Sequence, residues 1–328
     1  MSRVAKRGIF AHKLSFVLAV VIPVLAHPGL TIAQSLREIR VASSTISSTT
    51  LATFYARDRK FFEKEGFDVK VILVQTSAAL AALAAGDVDY TTFSTSAIEA
   101  ALKGMPIRLV AVTTQYPPTS LVVRKEITQV TDLKGRKLGA SSYGGTTYGV
   151  AIFVLKHYGV NPKDVTILAL GDQTARLAAL KNRHVDAALI QPPEDIKAVA
   201  LGDFKILLDA GTLYKLPSGG ISTTLKKIRE NPTEVRKVVR AVVGATRFMT
   251  EPQNKDDVIN YIVTFFKLDK SSAEECYRKL VPSQSRTGMV DRDKIQLVID
   301  SAVERGLTDK PLDPDMVVDF SFAKELGF

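Results

Sequence analysis

The chain has 328 residues, a formal net charge of +10 from 44 Lys and Arg against 34 Asp and Glu, and a single cysteine. One cysteine excludes an intramolecular disulfide framework, and no stripe of Lys and Arg with interleaved aromatic residues indicates a nucleic-acid partner. The length is sufficient for one large or two medium hydrophobic cores.

The N-terminus has the three parts of a secretory signal peptide. Basic residues precede an apolar run over residues 14–26, and small residues follow it. The run is too short to span a bilayer comfortably, which disfavours a retained anchor. Cleavage fits after Ala33 or, as the alternative, after Ala26. We therefore expect residues 1–33 to be removed, the net charge to fall from +10 to +6, and the protein to be soluble in the periplasm.

The rest of the chain carries the same pattern twice. Each copy has an apolar strand, a loop, a helix that ends at a glycine, a second strand, and a helix followed by an aspartate. The first copy covers residues 40–44, 68–73, 81–89 and 109–112, and the second covers 137–142, 164–168, 177–186 and 206–209. Two copies of a βαβ unit predict two similar lobes, and clefts between lobes are common sites for small ligands.

The predicted strands are short apolar runs without alternation, which is typical of parallel sheets buried on both faces. They cover residues 39–42, 69–74, 109–112, 165–170, 187–190 and 205–208. Predicted helices alternate with them over residues 51–65, 78–85, 97–103, 148–158, 174–181 and 194–200. Such alternation predicts the α/β class, with a doubly wound sheet in each lobe.

After Ile221 only helices are expected, beginning with a long one to about Met249. Asn231 and Pro232 supply its N-cap and its first helical position. Clusters of Pro and Gly at 115–118 and 217–220 are suited to crossing between lobes. We therefore expect lobe one to comprise residues 36–122 with 215–328, and lobe two residues 123–214.

Three segments resemble a known family. They are Asp132-Leu133-Lys134-Gly135-Arg136-Lys137-Leu138-Gly139, Ala84-Ala85-Gly86-Asp87-Val88-Asp89, and residues 59–69. Together they are similar to the periplasmic substrate-binding proteins of ABC importers, in the nitrate/sulfonate/taurine branch and its relatives that bind thiamine pyrimidine precursors. The resemblance implies a type II periplasmic binding protein fold, with two hinge strands and a helical C-terminal tail. It also implies a monomer that delivers a small solute to a membrane permease with its ATPase.

Four loops precede helices where a cleft is expected. Ligands of open α/β sheets bind beyond the carboxyl ends of strands, and free N–H groups of helix N-termini attract anions. Thr95 is a stronger candidate than Ser96, because a capping box with Glu99 would explain Ser96. Tyr143 and Tyr116 are candidates for apolar walls. The predicted ligand-binding residues are Ser44, Thr45, Ser48, Thr95, Ser96, Tyr116, Gly144, Gly145, Thr146, Thr147, Gln191 and Glu194.

The loops and the positive charge indicate a small organic anion, sulfonate- or carboxylate-like, as the solute. If Glu194 faces the cleft, the alternative is a neutral or cationic heterocycle such as a thiamine pyrimidine precursor. A ligand-sensing subunit of a signalling receptor is a further alternative. No enzyme, metal or cofactor is expected, because His157, His184 and Cys276 do not form a catalytic or metal-binding arrangement.

Overall fold

The computed structural model describes residues 35–141, 143, 145–309 and 312–327. The predicted signal peptide, residues 1–33, and the candidate Gly144 lie outside the described residues. Within the described ranges, no helix combines the length and the hydropathy that a membrane span requires.

Two five-stranded sheets form the framework, in the orders β2-β1-β3-β10-β4 and β7-β6-β8-β5-β9. The strands are β1 (Arg37–Ser43), β2 (Phe67–Leu73), β3 (Tyr90–Phe93), β4 (Ile107–Thr114), β5 (Ser120–Arg124), β6 (Lys137–Ala140), β7 (Thr166–Ala169), β8 (Ala187–Ile190), β9 (Phe204–Asp209) and β10 (Gly219–Thr224). Each sheet has a parallel part, β2-β1-β3 or β7-β6-β8. The α/β class is therefore confirmed.

The parallel pattern predicted for the sheets does not extend to one strand in each of them. Both β5 and β10 pair antiparallel with their neighbours. Each follows a crossover, over residues 115–119 or 214–218, and so enters its sheet from the other lobe. The lobe boundaries at residues 122 and 214 remain a prediction; the chain changes sheet between Thr114 and Ser120, and again between Asp209 and Gly219.

Helices cover the faces of both sheets. They are α1 (Leu51–Asp58), α2 (Phe61–Lys64), α3 (Thr76–Ala85), α4 (Thr95–Leu102), α5 (Thr146–His157), α6 (Gln173–Lys181), α7 (Glu194–Ala200), α8 (Ala210–Leu213), α9 (Leu225–Glu230), α10 (Pro232–Thr250), α11 (Lys255–Phe266), α12 (Lys270–Leu280), α13 (Arg292–Glu304) and α14 (Ser321–Lys324). The single helix predicted over residues 51–65 is two helices, because Lys60 adopts a left-handed conformation at φ 63°.

The duplication is visible in the hydrogen bonds. In the first sheet the Arg40 N–H donates to Asp89 Oδ2 at 2.8 Å, and Asp89 N–H donates back to Arg40 O at 2.9 Å. In the second sheet Lys137 and Asp186 make the same two bonds, each of 2.9 Å. Both aspartates thus fix the start of a central strand. The two lobes are copies of one unit down to this side-chain contact.

The C-terminal helices thicken the lobe of the first sheet. Along α10, Val235, Val238, Val239 and Val242 are buried at helical spacing and form part of one apolar cluster with β1, α1 and α11. α12 in turn packs on α11. The tail from α10 to α12 is therefore built onto the first lobe, and α12 also contacts α7 of the second.

Candidate functional site

Loops from the two lobes contact each other at the carboxyl ends of the strands. The Ser48 N–H, in the loop after β1, donates to Pro192 O, in the loop after β8, at 3.2 Å. Gln173 Nε2, at the start of α6, is 3.5 Å from Ile46 O. Ligands of open α/β sheets bind at this edge. The space between these loops is therefore the candidate site, and the lobes are closed over it.

The hydroxyl-rich loop over residues 44–50 is one wall of this cleft. Ser47 Oγ and Thr49 Oγ1 share a hydrogen bond of 2.8 Å, and Thr50 Oγ1 donates to Thr45 O at 3.1 Å. Ser44 and Thr45 are half-buried, whereas Ser48 is fully buried. Several of the hydroxyls therefore hold the loop itself, and Ser48 lies where the two lobes meet.

The start of α4 ties the first lobe to the second crossover. Thr95 Oγ1 donates to Pro217 O at 2.5 Å, while Ser96 is half-buried in the first turn. The capping box expected between Ser96 and Glu99 does not form, because Ser94 is the N-cap and Glu99 accepts from Arg305 at 2.5 Å. Burial raises the pKa of Glu99, although Arg305 opposes that shift.

At the start of α5, Gly145 is the N-cap residue and Thr146 is half-buried. Thr147 Oγ1 accepts from the Ser141 N–H at 2.8 Å and donates to Ser141 Oγ at 2.7 Å, so this hydroxyl serves the loop. Tyr143 is 69% exposed and meets the Tyr148 ring edge-on at 5.6 Å. An exposed aromatic face is therefore available beside this helix N-terminus.

The loop before α7 holds the remaining candidates. Gln191 is buried and donates through Nε2 to Thr119 Oγ1 at 3.2 Å. Glu194 lies in the first turn of α7 and pairs with Lys197 at 2.9 Å, so its charge is already partnered. Tyr116 is half-buried in the first crossover, and burial raises its pKa.

One residue at this site was missed by the sequence analysis. Arg176 is only 4% exposed, on the same buried stripe of α6 as Gln173. Its Nη1 donates to Gly171 O at 2.6 Å, and it forms no ion pair among the described residues, although the charge of Asp172 acts on it. Burial lowers the pKa of the guanidinium to about 10. Helical side chains lean toward the N-terminus. The charge therefore lies level with the loop before α6, at the cleft.

Buried polar atoms normally have a hydrogen-bond partner. Five such atoms on the segments around the cleft have none among the described residues: Ser48 Oγ, Ser94 Oγ, Ser218 Oγ, Gln173 Oε1 and Arg176 Nε. Unsatisfied groups of this kind indicate where a ligand or bound water completes the structure. In the same part of the chain, no group of three His, Cys, Asp or Glu residues is placed to hold a metal ion.

Comparison with known proteins gives three informative likenesses. The riboflavin-binding protein RibY of Chloroflexus aurantiacus is 25% identical over 242 residues, which are 71% of this chain and 68% of RibY. The periplasmic aliphatic sulphonate binding protein SsuA of Escherichia coli superposes with a TM-score of 0.69 at 19% identity, over 87% of this chain and 92% of SsuA. The periplasmic nitrate-binding protein NrtA of Synechocystis PCC 6803 gives 0.73 at 16% identity, over 88% of each chain.

The two structural likenesses confirm the periplasmic binding protein fold and match the branch that the sequence resembles. The family described as NMT1/THI5 like matches residues 48–255, which is more than half of the chain. The chain therefore belongs to the NMT1/THI5-like family.

Proposed function

We propose that this protein is the periplasmic solute-binding component of an ABC importer and that its solute is a small organic anion, sulfonate- or carboxylate-like. The observation that supports an anion is the buried Arg176 guanidinium, which forms no ion pair among the described residues and whose charge Asp172 compensates only in part. A buried charge without a counter-ion is costly. A bound anion would supply the missing negative charge in the cleft.

The rest of the cleft supports the same solute class. The Ser48 and Ser94 hydroxyls are buried without partners among the described residues, and α5 begins at this edge with N–H groups that no side chain caps, whereas the Asp172 carboxylate caps α6. Charge-assisted hydrogen bonds contribute about 1.5–3 kcal/mol each. Three or four of them approach the roughly 8 kcal/mol that corresponds to micromolar affinity.

In this mechanism the lobes open and close on the two crossovers, residues 115–119 and 214–218. A solute held by both lobes stabilises the closed form by its differential affinity for that form. The closed protein then delivers the solute to the permease and its ATPase. Catalysis has no part in this proposal. Cys276 is fully buried, and burial raises the pKa of its thiol, which disfavours the reactive thiolate.

A planar heterocycle is the second candidate solute. The exposed ring of Tyr143 beside the cleft could stack on it, and the relative RibY is described as riboflavin-binding. A cationic heterocycle is less well supported, because Glu194 is paired with Lys197.

A thermal-shift screen of the secreted form separates these solutes. At a hundredfold excess over Kd, a bound solute adds about 2.7 kcal/mol of stability. This should raise the melting temperature by about 5 °C. We expect alkanesulfonates or carboxylates to give that shift. A rise in melting temperature with riboflavin or an uncharged pyrimidine alone would overturn the proposal of an anionic solute and favour the heterocycle. No rise with any solute would contradict both proposals.

A further inference from the structure

An ion pair joins the tail of the first lobe to the second lobe. Lys279, in the last turn of α12, places Nζ 2.6 Å from Asp195 Oδ2 in α7. α12 packs on α11 of the first lobe, whereas α7 packs on β5 and β9 of the second sheet. The pair therefore crosses between two bodies that the hinge mechanism requires to move.

The carboxylate of this pair is completely enclosed. Asp195 is 0% exposed, its Oδ2 accepts from Ser120 Oγ at 2.6 Å, and its Oδ1 accepts from the Ile196 N–H at 2.8 Å. Lys279 Nζ is also 3.1 Å from Ser120 Oγ. Burial raises the pKa of Asp195, and Lys279 opposes that shift. The other two donors to Asp195, Ser120 Oγ and the Ile196 N–H, belong to the second lobe, as Asp195 does. Lys279 is therefore the charge partner that the first lobe supplies.

The segment that follows Lys279 is bonded directly to the first crossover. The Gln115 N–H donates to Ser283 O at 2.7 Å, and Gln115 Nε2 donates to Gln284 O at 2.7 Å. Ser120, whose hydroxyl contacts both Asp195 and Lys279, is the first residue after that crossover. A change in the crossover would therefore move Lys279 relative to Asp195.

We propose that the Lys279–Asp195 ion pair is a latch that favours the closed arrangement of the lobes. In the closed form Asp195 has no access to water, and without Lys279 its charge would be buried and unpaired. In an open form the same carboxylate could be hydrated. Loss of the lysine therefore penalises closure specifically. The latch depends on the proposed hinge movement, but it does not depend on which solute binds.

The test measures the distance between the lobes in protein without solute. Nitroxide labels at Ala81→Cys in α3 and Ala178→Cys in α6 occupy exposed positions of the two lobes, and Cys276 is too deeply buried to be labelled. Double electron–electron resonance then reports the ratio of open to closed molecules. Lys279→Met should raise that ratio about tenfold. The double variant Lys279→Met/Asp195→Asn should restore it, because an amide needs no counter-ion.

Lys197→Met is the matched control. Lys197 lies on α7, the helix of Asp195, but its ion pair with Glu194 stays within one lobe. Its removal should leave the distance between the two labels unchanged. Equal distance distributions for Lys279→Met and the unmodified protein overturn the latch, even if the melting temperature falls, because the pair is then a static brace. One unchanging distance in every variant and at every solute concentration would instead count against the hinge itself.

Discussion

Replacing Arg176 with methionine should stabilise the solute-free protein and remove its affinity for anions. Burial lowers the pKa of the guanidinium from 12.5 to about 10. At about 1.4 kcal/mol per pKa unit, burying the charge costs roughly 3 kcal/mol. The lost charge-assisted hydrogen bond to Gly171 O offsets about 1.5–3 kcal/mol of that gain. Methionine fills the space of the aliphatic stem, so we expect a net stabilisation of about 1 kcal/mol.

Two assays measure the two halves of this prediction. Urea unfolding without solute gives the free energy of unfolding, which should rise in Arg176→Met. Calorimetry with the anion found in the thermal screen gives Kd. Loss of two charge-assisted hydrogen bonds, about 3 kcal/mol together, should weaken binding more than a hundredfold. Opposite effects on stability and binding are expected of a residue kept for function.

Arg124→Met is the matched control within the same lobe. Arg124 is also buried, but its Nη2 donates to Leu180 O at 2.6 Å and its guanidinium lies over the Phe204 ring. It ends β5 at the opposite edge of the sheet from the cleft. This variant should lose stability and keep its anion affinity. If Arg176→Met behaves in the same way, Arg176 is structural and the charge argument fails.

Three glycine substitutions provide further predictions. Gly145→Val should abolish solute binding but leave the fold intact, because the backbone φ of −76° suits any residue while the valine side chain obstructs the N-terminus of α5. Calorimetry measures the binding and circular dichroism the fold. Unchanged affinity for the solute would show that the site lies elsewhere. Gly211→Ala should destabilise the protein by about 3 kcal/mol, because its Cβ would lie 1.9 Å from Pro117 O in the first crossover. Gly244 lies in the middle of α10, and a Cβ there would be 3.6 Å from the Phe61 ring, which is an ordinary contact. Gly244→Ala should therefore stabilise the protein by about 0.5–1 kcal/mol. Similar unfolding curves for Gly211→Ala and Gly244→Ala would contradict the steric reasoning.

Local pattern predicted β1, β2, β7 and β8 of the parallel parts and the helices that follow them, but it missed β3. Runs such as Ala187–Ile190 are buried on both faces and are therefore apolar at every position. A short stretch of sequence is enough to show that property. The antiparallel direction of β5 and β10 depends on how the chain crosses between lobes, which no local period records. The capping box at Ser96 failed for a related reason. A distant residue, Arg305, binds the Glu99 carboxylate that the box would have used.

Arg176 was missed because a single arginine in an apolar helix is usually interpreted as surface. Comparing the two copies of the duplicated unit is a better way to find such a residue. Leu80 and Leu83 of α3 have the same spacing to Asp89 as Leu177 and Leu180 of α6 have to Asp186. The residue before Leu80 is Ala79, fully buried, and the residue before Leu177 is Arg176. Two copies of one unit share their folding requirements, so a buried position that is alanine in one and arginine in the other is not explained by the fold. Under the proposed function, the ligand explains such a difference between copies.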